Sequence, residues 1–517
     1  MVSDAVTTAA ERGAEGVTGE PIAHYIDGAL VKSHSGRSGE VFNPATGERV
    51  GVVGFADPGE VDRAVAAARE AFPAWRAMSL ARRSELMFRI RAAVREQREE
   101  IAKIITREHG KVLDDALGEI ARGLEVIDSS CTIPKLLQGR FSEQASTGVD
   151  VYSLRQPVGV AAGVTPFNFP AMVPMWMWGP ALAAGNTFVL KPSEKVPSAS
   201  LYIAQLLSDA GVPPGVFNVV QGDVVAVDRL LEHPDVAAIS SVGSTPTARH
   251  IYEVASRHGK RVQALGGAKN HMVVLPNADV EHASQSAVNA AYGSAGERCM
   301  AVSVVIAVGG IADPLIARIR DRIEDITVGV GTDRESDMGP LITREHRDRV
   351  ASYIDGAREQ GASVEVDGRR IEPPNGGDRG FFLGPTLLDN VAENMDCYRD
   401  EIFGPVLSVV RVDRYSDALR LVNENPYGNG AALFTRDGAA ARSFQFDVEA
   451  GMVGINVPIP VPVGYFSFGG WKDSLFGDRS IYGEEGVEFY TRPKVVTSRW
   501  PDREHIDPGF HFPMSGN

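Results

Sequence analysis

Residues 155–191 read RQPVGVAAGVTPFNFPAMVPMWMWGPALAAGNTFVLK, and no charged side chain stands between Arg155 and Lys191. An uncharged run of this length could cross a bilayer as a helix. Five prolines (157, 166, 170, 174 and 180) and four glycines (159, 163, 179 and 185) interrupt it. Each internal proline removes a helical hydrogen bond and clashes with the preceding turn, so one continuous apolar helix cannot form. The stretch reads instead as buried strand, loop and helix.

On either side of this run the same alternation continues. Strands are predicted at "VGVAAGV", "TFVLK", "FNVV", "VAAISSV" and "RVQAL", with helices over 170–184, 197–210, 223–232 and 245–258. Strands separated by crossover helices build a parallel, doubly wound sheet. Ligands of such sheets bind beyond the carboxyl ends of the strands. Those ends carry "TPFN" (165–168), "KPSEK" (191–195), "GST" (243–245) and "LGG" (265–267). Hydroxyl, amide, Lys, Glu and Gly-rich turns on one edge suit a mononucleotide or dinucleotide, although no GxGxxG is present.

Upstream, "DPGEVDRAVAAAREAFPAW" opens a helix with Asp57 as N-cap, Pro58 at N1 and Glu60 at N3. A second helix is predicted through Leu86, Ile90, Val94, Ile101 and Ile105, stopping near Gly110. A third covers 112–138, and residues 1–21 read as a loose tail. After 272 a second α/β unit is predicted, with helices near 279–292, 312–325 and 346–361. Its strands read "VVIAVG", "FGPVLSVVRV" and "GAALFT", with a loop at "RRIEPPNGGDRGFF".

Composition narrows the function. The net charge is −15 and no basic run with interleaved aromatics occurs, which argues against nucleic acid as the main partner. The three cysteines (131, 299 and 397) are odd in number and far apart. They suggest neither a disulfide framework nor a metal site, and a reducing compartment fits best. No histidine spacing matches a metal motif. The acidic, core-less N-terminus matches neither a secretory signal nor a transit peptide. A cytoplasmic location is the expectation.

One cysteine stands apart. Cys299 lies in "AAYGSAGERCMA", among small residues that allow close substrate approach, and Arg298 beside it would favour the thiolate. Cys131 and Cys397 read as structural.

The strings "TPFNFP", "KPSEK", "GST", "LGGAKN", "GERCMA", "EIFGPV", "NPYGNGAALFT" and "FGGWKDSLFGD" occur in order. Together they closely resemble the NAD(P)-dependent aldehyde dehydrogenase superfamily, over residues 22–500. "GAKNH", "RGLE" at 122–125, Arg298 directly before Cys299, and "EFYTRPKVVTSRW" are most similar to its CoA-acylating methylmalonate-semialdehyde dehydrogenase branch.

The resemblance implies a fold and roles. A doubly wound NAD-binding domain would span 22–141 and 158–267, and an α/β catalytic domain 268–480. A small β oligomerisation element would span 142–157 and 484–500, giving a homotetramer or dimer. Cys299 would attack the aldehyde carbon, with Asn168 and the Cys299 backbone N–H holding the oxyanion. Thr165, Phe167, Lys191, Glu194, Lys195, Ser244, Gly266 and Glu401 would bind NAD. Lys191 and Glu194 would meet the adenosine ribose, Ser244 would cap the helix facing the pyrophosphate, and Glu401 would hold the nicotinamide ribose. Lys195 could tolerate a 2′-phosphate. Arg122 and Arg298 would bind a substrate carboxylate, although an ion pair with Asp or Glu is an even alternative for each alone.

In hydrolytic relatives a glutamate activates water against the thioester, and the resemblance puts Ala264 at that position. Without a base, coenzyme A is the expected acyl acceptor. The implied reaction is CoA-acylating oxidative decarboxylation of methylmalonate semialdehyde to propionyl-CoA, or of malonate semialdehyde to acetyl-CoA. A semialdehyde dehydrogenase releasing free acid and a catalytically silent relative are the alternatives.

Overall fold

The computed structural model describes residues 21–372 and 379–500. The expected tail over 1–21, apart from Pro21, and residues 373–378 of the predicted loop lie outside them. Two sheets organise the chain. The first has eight strands. Five run parallel in the order Phe217–Val219, Thr187–Lys191, Val160–Val164, Val236–Val242 and Arg261–Leu265. These are the five strands predicted. Antiparallel pieces close both edges: His24–Ile26 pairs with Phe217–Val219, and Leu475–Phe476 pairs with Arg261–Leu265.

Strand periodicity divides this sheet into two faces. Val160, Ala162, Val164, Val189, Ile239, Val262 and Ala264 enter one apolar cluster. Ala161, Phe188, Leu190, Ala238 and Leu265 enter another, on the opposite face. The second cluster contains the helix Met172–Ala183, in which every residue is buried. That all-round burial explains the charge-free sequence. Among the described residues no helix is long and apolar enough to cross a membrane.

The helix boundaries follow their signals. Pro58–Ala77 starts in a complete capping box between Asp57 and Glu60. Gly110 ends Arg98–His109 in the left-handed region, at φ 89°. The second predicted helix is two helices, Leu80–Glu96 and Arg98–His109. They break at Gln97, whose side chain accepts a hydrogen bond from the Tyr202 hydroxyl at 2.9 Å. The third is likewise Leu113–Cys131 followed by the single turn Ile133–Leu136.

The second sheet has seven strands, with Asn270–Val274 and Val302–Val308 at its centre. The first follows the LGG turn and the second follows Cys299. A separate three-stranded antiparallel sheet joins Phe141–Ser146, Val149–Pro157 and Thr491–Arg499.

Candidate active site

Cys299 sits past a strained turn. Ser294 and Ala295 have φ of 50° and 52° without being glycine, a conformation that needs support from its surroundings. Asp115, in the first turn of Leu113–Cys131, supplies it. Its carboxylate accepts the Ser294 amide and hydroxyl at 2.9 and 3.0 Å and the Arg298 guanidinium at 2.5 Å. Gly296 completes the turn, and a Cβ there would lie 2.3 Å from the Gly404 carbonyl oxygen. Beyond the turn, the Cys299 carbonyl accepts the side-chain amides of Asn270 and Asn429 at 2.9 and 3.1 Å.

The thiol does not lie in a cationic setting. Burial, and secondly the Glu401 carboxylate, push its pKa up to about 12, and the Arg298 charge is the smallest influence. Arg298 turns towards Asp115 instead. The Arg298 charge does lower the thiol pKa, as expected, but its effect is outweighed by burial and by the Glu401 carboxylate. Cys131 and Cys397 are buried, and burial raises both thiol pKa values.

Asn168 is 4% exposed, and its Nδ2 donates to the Glu297 carbonyl oxygen at 3.0 Å. That ties its side chain to the segment two residues before Cys299 and leaves a second N–H on the amide. Arg298, Cys299, Glu401, Phe403, Lys269 and Asn270 line a single cleft. Glu401 accepts the Ala268 amide at 3.0 Å, and burial raises its pKa to about 7. The Gly-Gly turn is needed for this approach, because a Cβ on Gly267 would stand 2.5 Å from Glu401 Oε2.

Strand alternation sends the two residues at the end of Arg261–Leu265 to opposite faces of the sheet. Ala264 faces the cluster with Val262, Ala248 and Ile251. Leu265 faces the other way, into the cluster against which Cys299 packs, together with Met300 and Phe468. Neither residue is a base: Ala264, at the position where the resemblance places a glutamate in hydrolytic relatives, and Leu265 after it are both apolar and buried, on opposite faces of the strand.

Along the carboxyl edge of the eight-stranded sheet lie the residues expected to hold the nucleotide. Lys191 ends its strand buried and donates to Glu194 Oε2 at 3.5 Å. Burial lowers its pKa. The buried Thr165 hydroxyl has no hydrogen-bond partner among the described residues. Ser244 occupies the N-cap of Thr245–Arg257 without bonding a backbone N–H. Its hydroxyl meets Thr247 Oγ1 at 2.9 Å, so it is not the side-chain cap expected. Thr245, which sequence reasoning missed, accepts the Gly267 amide at 2.9 Å. Gly266 packs against the Asp473 carbonyl, which a Cβ would approach to 2.5 Å.

Phe167 is drawn elsewhere. It stacks with His109 at 6.0 Å and meets Phe403 and His346 edge-on at 5.9 and 6.4 Å, while the Lys195 ammonium lies 5.1 Å from its ring centre. This aromatic group packs beside Glu297, whose carboxyl burial raises to a pKa of about 8.

Both arginines have anionic partners. Arg298 pairs with Asp115, as above, and Arg122 Nη1 donates to Glu125 at 2.7 Å. Arg122 Nη2 also donates to the Val461 and Pro462 carbonyls at 3.3 and 2.8 Å. The ion-pair alternative weighed for each is thus realised. Asp115 and Arg122 stand seven positions apart, two turns along one helix face. Tyr482 lies between the groups: its hydroxyl bonds the Pro462 carbonyl at 3.1 Å and feels the charges of Arg122, Glu125 and Cys299. Its φ of 48° is a further strained position, packed against Trp176 at 5.0 Å. No spacing signal pointed to Tyr482, because it reaches the site from the far C-terminal segment.

Comparison with known proteins agrees with this arrangement. The aldehyde dehydrogenase family profile matches residues 30–496. A malonate-semialdehyde dehydrogenase of Pseudomonas aeruginosa is 52% identical over 492 residues, 95% of this chain and 99% of the relative. A crystal structure of methylmalonate-semialdehyde dehydrogenase from Oceanimonas doudoroffii superposes with TM-score 0.92 at 51% identity, covering 94% of this chain and 99% of that one. A Sinorhizobium meliloti protein solved with NAD, described within the same dehydrogenases, superposes with TM-score 0.92 at 50% identity, covering 93% and 98%. The profile match over nearly the whole chain and the 52% identity to a relative over 95% of it place the chain: the protein belongs to the aldehyde dehydrogenase family.

Proposed function

We propose that the protein oxidises malonate semialdehyde or methylmalonate semialdehyde with NAD and passes the acyl group to coenzyme A, with loss of CO₂. The observation that carries the choice of acceptor is the end of strand Arg261–Leu265, where Ala264 and Leu265 are buried and apolar and neither is a carboxylate. A general base contributes about 10²–10⁴ in rate, so water attacks the acyl-enzyme slowly. A thiol is partly ionised near neutral pH and is intrinsically nucleophilic, so it needs less help.

The sheet edge fits NAD. The partnerless Thr165 hydroxyl, the buried Lys191 beside Glu194 and the Thr245–Arg257 N-terminus, free of a side-chain cap, suit ribose hydroxyls and a pyrophosphate. Thr165, Lys191, Glu194, Lys195, Ser244, Gly266 and Glu401 are the proposed binding residues. Phe167 joins them through Lys195 and through Phe403, which lines the cleft of Glu401 and Cys299. When bound, the cofactor accepts the hydride from the substrate carbon.

Cys299 sulfur bonds to the aldehyde carbon, and the oxyanion so formed takes the second Asn168 N–H and the Cys299 amide. Collapse of that oxyanion leaves a thioester on Cys299. The thioester of a 2-carboxyacyl group, malonyl or methylmalonyl, loses CO₂, and the electron pair passes to the enolate oxygen held by the same oxyanion donors before a proton restores the carbonyl. The CoA sulfur then bonds to the carbonyl carbon and the Cys299 sulfur leaves. Arg122 and Arg298 are the proposed carboxylate partners, each using guanidinium donors beyond those held by Glu125 and Asp115. The chain functions in the cytoplasm as a homo-oligomer, with the three-stranded sheet as the oligomerisation element, beside a nucleotide domain over 22–141 and 158–267 and a catalytic domain over 268–480.

The test is NADH formation from malonate semialdehyde with and without CoA. Sustained turnover is expected only with CoA, with acetyl-CoA and CO₂ as products. Equal turnover without CoA, giving free acid, would select the hydrolytic alternative, and no NADH in either case would select the silent one.

A further inference from the structure

The segment that carries Asn168 is gripped by two buried charges that the chemistry above does not use. Lys111 and Glu119 side chains are both 0% exposed. Lys111 follows the left-handed Gly110 turn, and Glu119 lies two turns into Leu113–Cys131. Lys111 Nζ donates to Glu119 Oε2 at 2.7 Å and to the Asn168 carbonyl oxygen. It stands 4.4 Å from the Phe169 ring centre. Glu119 Oε1 accepts the Ala171 and Met172 amides at 2.9 and 3.2 Å.

Burying an ion pair is weak evidence for stability, since an apolar pair of similar volume often serves as well. What this pair holds is therefore the informative part. Every hydrogen bond it makes outside itself goes to the main chain of residues 168–172, the link between strand Val160–Val164 and helix Met172–Ala183. Ala171 provides no side-chain cap for that helix. Glu119 supplies one, and its negative charge complements the helix N-terminus. Asn168 is thus held from two sides, its carbonyl by Lys111 and its side-chain amide by the Glu297 carbonyl.

We propose that Lys111 and Glu119 are positioning residues for the reaction: the buried pair fixes the main chain at Asn168 so that its amide meets the oxyanion on the Cys299 adduct. The inference rests on Asn168 being the oxyanion donor. A misplacement of about 1 Å can cost about 10²-fold in rate, so the grip acts on the chemical step rather than on substrate or cofactor affinity.

The double variant Lys111→Met/Glu119→Leu removes both charges together and avoids stranding one of them. Three quantities are read on the full-length enzyme: the NADH burst rate with propanal, the NAD dissociation constant, and alkylation of Cys299 by iodoacetamide. The burst is expected to slow by about 10–100-fold with NAD affinity and alkylation unchanged. Asn168→Ala is expected to slow it by about 10²–10³, and adding the double variant to Asn168→Ala should cost nothing more, because contacts that act through one group are not additive. A parent-like burst in the double variant, or losses that multiply in the triple variant, overturns the proposal. If Asn168→Ala itself keeps the parent burst, the oxyanion assignment falls and takes the proposal with it. Should the double variant not fold, Lys111→Arg retains the charge but changes the point donor to a fork. A slowed burst at unchanged NAD affinity then supports the proposal, and an unchanged burst overturns it.

Discussion

The nucleotide edge of the eight-stranded sheet and the turn that carries Cys299 are built by different means. Along the edge, the polar residues stand at the end of a strand or up to four places past it, and Lys191 finds its partner Glu194 three residues on. The Cys299 turn is held from far away. Asp115 reaches it across 179 positions to Ser294, and Asn429 across 130 to the Cys299 carbonyl. The edge is strain-free parallel sheet, whereas the turn holds two consecutive non-glycine residues at positive φ. Local geometry suffices to bind a nucleotide, but a reactive group must be positioned by several segments at once.

The largest expected effect separates the two regions. Cys299→Ala should abolish NADH formation, leaving less than about one part in 10³, while NAD binding is unchanged. Weakened NAD binding in calorimetry would show the regions to be one unit. Cys131→Ala and Cys397→Ala should stay active.

The pH dependence of the thiol comes next. With a pKa of about 12 in the ligand-free enzyme, the thiolate fraction rises about tenfold per pH unit throughout the range below it. Iodoacetamide alkylation of Cys299, followed by mass spectrometry of its peptide, should therefore climb from pH 7 to pH 10 without a plateau. A plateau below about pH 8.5, the ordinary thiol value, would restore Arg298 as the activating cation.

The two arginines should differ. Arg122→Leu is expected to raise KM for a carboxylate-bearing aldehyde by about tenfold, the value of a charge-assisted hydrogen bond, and to spare propanal. Arg298→Leu should slow both substrates, because it also releases Asp115 from the turn that it supports at Ser294. Equal behaviour of the two variants on both aldehydes would erase the distinction between a binding arginine and one that also orders the loop.

The same contrast explains what was legible in the sequence. Alternating apolar periods gave the five parallel strands and their helices, and the capping residues Asp57 and Gly110 marked two helix ends. Cys299, Asn168 and Glu401 were found from motifs; Cys299 and Glu401 line one cleft, and Asn168 is tied by its side-chain amide to Glu297, two residues before Cys299. The partnership of Arg298 with Asp115, the reach of Tyr482 and the grip of Lys111 on Asn168 were not legible, because each joins segments whose approach only the tertiary fold decides.

The central claim is that the strand end beside Cys299 lacks a base, so that the acyl-enzyme waits for a thiol. It is tested most directly by single-turnover decay of the acyl-enzyme, after a stoichiometric NADH burst, with and without CoA. Decay is expected to be slow in water and fast with CoA. Ala264→Glu should speed CoA-independent release and hinder transfer, while Leu265→Glu, whose side chain would enter the opposite face, should not. Decay in the parent enzyme that is as fast without CoA as with it would contradict the account.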